Sequence, residues 1–372
     1  MITIIILLIL ATISIQSLTN TGLFKKANEA KEKTQNAAEN QAKTLNEYED
    51  ELNKYISGTV ETPKVKKVVD NLGTVLSTTD NTELQDAYGN KIVVPAGFKI
   101  TNDATTVDKG IVIEDATSAA TAGSQFVWIP VGKIYTNTAK IEANAKTITL
   151  GRYDFDETTG KESVYSGDFE EEDKGDTTTT LKNLGNTIAK NITNFKTSVA
   201  TNSGYYIGRY EARTTTPRTA AENPLTQITE KGTDQVYNYV TQLQAATQAQ
   251  NMYSSNKFTS DLMNSYAWDT ATLFLQTCGT NATYSRKTSV NSSLAQTGTN
   301  NRSTKDVQCN VYDMADNLLE WGTETSKASG YPCTYRGGSF GNSDNYTSLR
   351  WDSITSRSSI DYGFRVLLYI NV

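Results

Sequence analysis

Asn310-Val311-Tyr312-Asp313-Met314-Ala315-Asp316-Asn317-Leu318-Leu319-Glu320-Trp321 is the stretch on which the reading of this chain turns. Two shorter runs follow it, Arg336-Gly337-Gly338-Ser339-Phe340 and Gly363-Phe364-Arg365-Val366. Trp321 and Phe364 are large rings of the kind that anchor cores, and Gly337 and Gly338 permit close backbone approach. Upstream, Phe126-Val127-Trp128-Ile129-Pro130-Val131-Gly132 reads as a buried strand run ending at a proline. Tyr205-Tyr206-Ile207-Gly208-Arg209-Tyr210-Glu211-Ala212 alternates like a second strand. Residues 234–253 read as a helix with Val236, Tyr239, Val240, Leu243 and Ala246 on one face, and 262–276 as another carrying Trp268, Ala271, Leu273, Phe274 and Leu275.

Nearer the N-terminus, residues 57–80 are rich in Thr, Val and Lys, contain Pro63 and lack periodicity, which predicts a linker. Asp86 to Asn90 reads as a turn, Lys91 to Pro95 as a strand, and Gly97–Ile100 and Gly110–Ile113 as further short strands. The expected division is therefore 57–105 as a linker with a small β element and 106–372 as the main domain. Residues 151–182 hold Asp154, Asp156, Glu157, Asp168, Glu170, Glu171, Glu172 and Asp173. A calcium loop of the EF-hand type needs glycine at its sixth position. Counted from Asp154 that place is Thr159, so a solvated acidic hairpin and loop is the better reading.

Composition excludes several function classes. The chain has no histidine, so neither a Ser-His-Asp or Cys-His nucleophile nor a histidine-ligated metal is available. The formal net charge is −6, and no Lys/Arg face stands out that would neutralise phosphates, so nucleic acid is not an expected partner. Apolar residues are 37% of the chain, with Thr, Asn and Ser abundant, which suits a loop-rich extracellular protein. Cys278, Cys309 and Cys333 are too widely spaced for a zinc site; one disulfide with one free thiol and three buried thiols are both consistent with them.

Residues 1–15 form an uncharged apolar run, followed from Gly22 by a charged helical pattern and then Leu45, Tyr48, Leu52 and Tyr55 at helical spacing. At 1.5 Å per residue the run reaches about 22 Å, short of a full bilayer core. A signal-peptide core is one reading. The other is a resemblance to type IV pilin-like proteins of Gram-positive bacteria, in which an apolar stalk runs straight into an amphipathic helix. That resemblance implies a membrane anchor through residues 1–15, with pilus-like self-assembly as an extension. The family's basic leader with its processing glycine, and the glutamate near the start of its mature helix, have no counterpart here, which points to a start upstream or a trimmed leader. Residues 1–56 are thus expected to be a pilin-like stalk and amphipathic helix.

Taken in order, the motifs from Gln125 onward resemble the formylglycine-generating-enzyme (sulfatase-modifying factor) family, a branch of the C-type-lectin fold, over about residues 125–370. The resemblance implies an α+β, C-type-lectin-like domain in which two helices flank a small twisted antiparallel sheet. In that family two cysteines shortly after the Arg-Gly-Gly-Ser motif bind copper and perform the oxidation; the matching positions here are Asn342 and Thr347. The ergothioneine-pathway branch needs an iron held by histidines, which this chain lacks. The resemblance therefore implies a catalytically inactive relative that binds a protein or glycan ligand at the cell surface. A retained copper or other oxidoreductase activity through Cys309 or Cys333, and a structural pilin-like subunit, are the alternatives.

The stretch 340–362 is rich in Ser, Asn, Asp and Tyr, the chemistry of a paratope. It occupies the place where variable proteins of diversity-generating retroelements carry their hypervariable residues, and apart from Trp351 its residues fit the codon set of adenine-directed mutagenesis. On this reading Phe340, Asn342, Asp344, Tyr346, Trp351, Asp352 and Tyr362 contact the ligand. The resemblance also implies a structural calcium near Asp316, Asn317 and Glu320.

Overall fold

The computed structural model describes residues 22–56, 65–117, 120–171, 192–289, 292–295, 306–328 and 330–372. Contacts divide the chain after Lys64 into two units, the first holding the helix Gly22–Ile56 and the second Val65–Val372. The helix is 35 residues long, about 52 Å at the usual rise. Leu45, Tyr48 and Leu52 lie on it and are exposed. The apolar run 1–15, with the anchor read from it, falls outside the described residues. Among the described residues no helix is long and apolar enough to cross a membrane.

Residues 65–372 form an α+β unit built on two sheets. The larger has six strands in the order Phe258–Leu262, Val366–Ile370, Gly204–Gly208, Gln125–Pro130, Val112–Asp115 and Phe98–Ile100, all antiparallel. Side chains alternate across a strand, and Tyr205 and Tyr206 show it. Tyr205 packs edge-on to Phe195 of the helix Ile192–Asn202 and donates its hydroxyl to the Ala267 carbonyl in the helix Ser265–Cys278. On the opposite face Tyr206 meets Trp128 at 4.9 Å and donates to the Val93 carbonyl. The sheet curls strongly. Phe98 and Phe258 sit on its two edge strands, yet their rings are 5.6 Å apart, and Phe126 and Tyr253 complete the cluster.

The region read as linker and small β element is part of this unit from Val65 onward. The hairpin Thr82–Gln85/Lys91–Val94 buries Leu84, Ile92 and Val94, and Phe98–Ile100 is an edge strand of the six-stranded sheet. Its turn is organised by buried Asp86. One carboxylate oxygen accepts from the amides of Tyr88 and Asn90, and the other from the Asn90 side chain and the Val107 amide, all at 2.8–2.9 Å. Val107 lies beyond the expected boundary at 105, so this single carboxylate ties both sides of it together.

The smaller sheet has five strands. Phe169–Glu170, Leu319–Ser326, Cys333–Arg336 and Arg350–Ser353 are antiparallel neighbours, and Tyr362–Phe364 runs parallel to Leu319–Ser326. Trp321 is fully buried and donates to the Val240 carbonyl, and Phe364 is fully buried as well. Gly337 and Gly338 stand where backbone passes close: a Cβ on them would fall 2.6 Å from the Met314 carbonyl oxygen and 2.2 Å from that of Ala315. Gly337 also has φ +79°, a conformation that other residues adopt only under strain.

Two helical expectations are corrected. The helix expected at 234–253 starts only at Gln242, because Thr241 and Gln244 form a capping box there. Val236 lies instead in a short strand with Arg213–Thr214, and Tyr239 has φ +51°. The apolar spacing at 236–243 thus reflects burial rather than helix. The second helix begins at Ser265, capped by Asn264, while Leu262 ends a strand. Ile192–Asn202 is a third helix in the unit, one that the motif order did not announce. The acidic segment does form a hairpin, Tyr153–Phe155 with Glu162–Val164, whose turn is capped by Asp156.

Arg365 joins the two sheets. Its guanidinium, fully buried, clamps both oxygens of Glu320 at 2.6 and 3.1 Å and donates to the carbonyls of Gly208 and Tyr312 at 2.9 and 2.8 Å. Removing one member of such a pair leaves a buried charge alone, at a cost of about 3–5 kcal/mol. Arg365→Met should therefore lose stability of that order in urea denaturation, and Arg365→Met with Glu320→Met should regain part of it. A single variant as stable as the wild type would contradict the bridging role.

Candidate binding face

The stretch 340–362 leaves the Gly337–Gly338 passage, loops over the surface, forms the edge strand Arg350–Ser353 and returns to the core at Tyr362. Beneath it lies a knot of buried charge. Arg336 reaches Asp269 and, at 3.2 Å, Glu324; Arg350 reaches Asp269 at 2.6 Å and Glu324 at 2.8 Å; Arg152 reaches Glu324 at 2.6 Å. Arg336 also donates to the Leu349 carbonyl at 2.7 Å. Burial favours protonation of Glu324, but the three guanidinium groups outweigh it and hold its carboxyl below the usual range. The same pairing, against the cost of burial, raises Arg350. The knot takes partners from the edge strand, the inner strands Leu319–Ser326 and Cys333–Arg336, the helix Ser265–Cys278 and Arg152 just before Tyr153, so the edge strand is fixed by directional bonds.

On this frame the predicted contact residues separate into three groups. Asn342 and Asp344 are exposed and share an Asx turn, with the Asp344 amide donating to the Asn342 side chain at 2.9 Å. Trp351 is 58% exposed, a large value for a tryptophan, and lies opposite Tyr335 in the strand register. Phe340, Tyr346 and Asp352 are half-buried. Tyr346 is covered by the Arg286 guanidinium at 3.6 Å, and Asp352 accepts from Ser326 at 3.2 Å. Tyr362 is only 4% exposed, with its ring 4.9 Å from that of Trp321, and is a framework residue rather than a surface contact. The mature surface has members that the sequence reading missed: Tyr331 at one end of the strand pair, and Ile354 and Ile360 in the following loop, are all exposed. Apolar exposure in a polar loop was their only available signal.

A groove of about 270 Å³ runs beside the stretch, lined among others by Tyr165, Phe169, Arg286, Tyr346, Ser348 and Arg350. Arg350 stacks on Tyr165 at 3.9 Å and Arg286 on Tyr346 at 3.6 Å. Thr347 is fully buried, and its carbonyl accepts from the Trp268 indole. The stretch thus displays side chains on the surface and along one groove while its alternate residues pack inward.

The residues singled out for calcium do not fit the ion. Arg365 occupies both oxygens of Glu320 and brings a positive charge to the same place. The Asn317 side chain donates to Glu211 and accepts from the Ala295 amide, and Asp316 accepts from Ser289 and the Asn317 amide. Among the described residues no group of three or more His, Cys, Asp or Glu is placed to hold a metal ion. All three cysteines are free; burial pushes the thiols of Cys278 up to about 11 and of Cys309 and Cys333 to about 12, so they are protonated at neutral pH.

Glu171 is the titrating group of this region. Its carboxylate accepts from the Thr323 hydroxyl at 2.5 Å and the Ser265 amide at 2.7 Å. Burial, with the nearby Glu324 charge adding to it, pushes the carboxyl up to about 7. Between the ordinary value and that one the native state holds a proton that the unfolded chain releases, so stability falls as pH rises through this window. Glu171→Gln should remove its share of that fall, on the order of 2 kcal/mol, read as the difference between denaturation at pH 5 and pH 8 in the two proteins. An unchanged difference would place the titration elsewhere.

No protein-family model, curated protein or solved structure matches the chain.

Proposed function

We propose that this chain is a ligand-binding protein displayed at the cell surface, with a C-type-lectin-like domain of the formylglycine-generating-enzyme type that binds rather than catalyses. Residues 1–15 serve as its membrane tether in this reading, and a protein or glycan is its partner. The observation that carries the reading is the division within 340–362. Thr347, Leu349, Ser353 and Tyr362 are buried, while Asn342, Asp344, Trp351, Ile354 and Ile360 face solvent over a strand locked by the Arg336–Arg350–Asp269–Glu324 knot. Rigid aromatic anchors among small hydrogen-bonding side chains suit binding with little ordering cost. A retroelement-diversified loop has the same requirement, since exposed positions can change while the buried ones hold the frame.

Support for the absence of catalysis is chemical. The positions that carry the family's cysteines are Asn342 and Thr347, and the three thiols present are buried or half-buried and protonated.

The full chain, probed against protein and glycan arrays, is expected to select a partner. Trp351→Ala should weaken that interaction at least tenfold, about 1.4 kcal/mol or more, with the melting temperature unchanged because the ring is largely exposed. A selected partner whose binding ignores both Trp351→Ala and Asp344→Ala would rule out this face.

A further inference from the structure

The curling of the six-stranded sheet leaves a cleft at the seam where its two edge strands meet. Its volume is about 710 Å³, inside the range of roughly 300–1,000 Å³ typical of ligand sites. Phe98 comes from one edge strand and Phe258 from the other, and with Met252 and Tyr253 they make an apolar floor. The rim is made of hydroxyl and amide groups, with Thr79, Gln227, Ser254, Ser255 and Asn256 all exposed there. None of these residues belongs to the 340–362 stretch or the groove beside it.

The charges of the cleft are already engaged. Lys257 pairs with Asp80 at 2.8 Å, and Asp80 also accepts from Thr79 at 2.9 Å. Asp115 is 1% exposed and accepts from the Thr121 and Tyr253 hydroxyls at 2.6 and 3.1 Å and from the Thr117 amide at 2.9 Å. An anionic or cationic ligand would have to break one of these pairings to find its counter-charge. A purely apolar ligand would cover the hydroxyl and amide rim without satisfying it, which is unfavourable. Phe98, Phe258 and Met252 are almost fully buried and Tyr253 is half-buried, so a ligand with a C–H face for the Tyr253 ring and hydroxyl groups for the rim meets both demands.

We infer that this seam cleft is a second binding site, for a neutral oligosaccharide, with the sugar's apolar face on Tyr253 and its hydroxyl groups bonded to Ser254, Ser255, Asn256 and Thr79. The 252–257 loop, which supplies Ser254, Ser255 and Asn256, borders a smaller cavity of about 260 Å³ on another side, which shares Tyr253, Ser254 and Ser255 and extends the surface available to a longer chain.

The test is saturation-transfer difference NMR on the full chain with chitotriose, maltotriose and cellotriose as neutral probes and a sialylated trisaccharide as the charged one. Saturation is expected to reach the ring protons of at least one neutral probe, and only weakly those of the charged one. Asn256→Arg and Ser254→Arg place bulk and charge at exposed positions of the rim and should each weaken binding about tenfold or more, with melting unchanged. Trp351→Ala should leave the signal intact, which separates this site from the face proposed above. Absence of transfer to all three neutral probes, equal transfer to the sialylated one, or a signal that survives both arginine variants would overturn the inference. So would a signal lost only with Trp351→Ala, since it would place the sugar on the other face.

Discussion

Arg365 carries a full positive charge into a place closed off from solvent, and the two sheets meet around it. A charge there is tolerable only where its donors meet acceptors, and four bonds meet that need: two go to Glu320 on the smaller sheet, one to the Gly208 carbonyl on the larger, and one to Tyr312 on the segment between. Neighbouring carboxyls feel the same scarcity of water. Glu211 and Glu230, both buried near Arg365, are pushed well above the usual carboxylate range by burial, with Arg365 and Arg213 opposing the shift. Apolar contacts would hold the sheets together with more freedom of register. An arginine with fixed directional partners specifies one relative position, at the cost of an arrangement that no single substitution can improve.

The second buried knot repeats this logic at the surface. Arg350 is an edge-strand residue that points inward to Asp269 and Glu324, while the next residue, Trp351, points out. Because side chains alternate along a strand, anchoring one residue also aims its neighbour. A displayed ring on a fixed backbone loses little freedom on binding, which is where much of the cost of recognition usually lies. The knot therefore positions whatever the surface carries without depending on the identity of the exposed residues.

How much of this could be read from the chain follows from the range of the interactions. Strands at 91–94, 125–130 and 204–208, the buried rings of Trp321 and Phe364 and the close approach at Gly337 and Gly338 were legible, because each leaves a local mark. The run 236–243 misled, since burial on irregular backbone imitated helical spacing until Thr241 and Gln244 capped the true start. The knots were invisible: Arg152 and Glu324 are 172 residues apart, and no periodicity links them. Tyr362 and Glu320 illustrate the same limit at the site. Each has a residue type suited to contact or ligation, but Trp321 and Arg365, placed by the fold, claim them for the frame. Asp86 did the same to the expected boundary near 105, by bonding to Val107.

The last strand, Val366–Ile370, lies inside the larger sheet, flanked by Phe258–Leu262 and Gly204–Gly208. Until it pairs, the strands on either side lack their common neighbour, and Arg365, the residue just before it, is not in place to join the sheets. Non-local pairings of this kind are slow to form and leave edges unpaired in the meantime. The larger sheet is thus closed by a strand that lies, in sequence, beyond both of its neighbours, so assembly is all-or-none: without that strand the two parts of the sheet share no common edge.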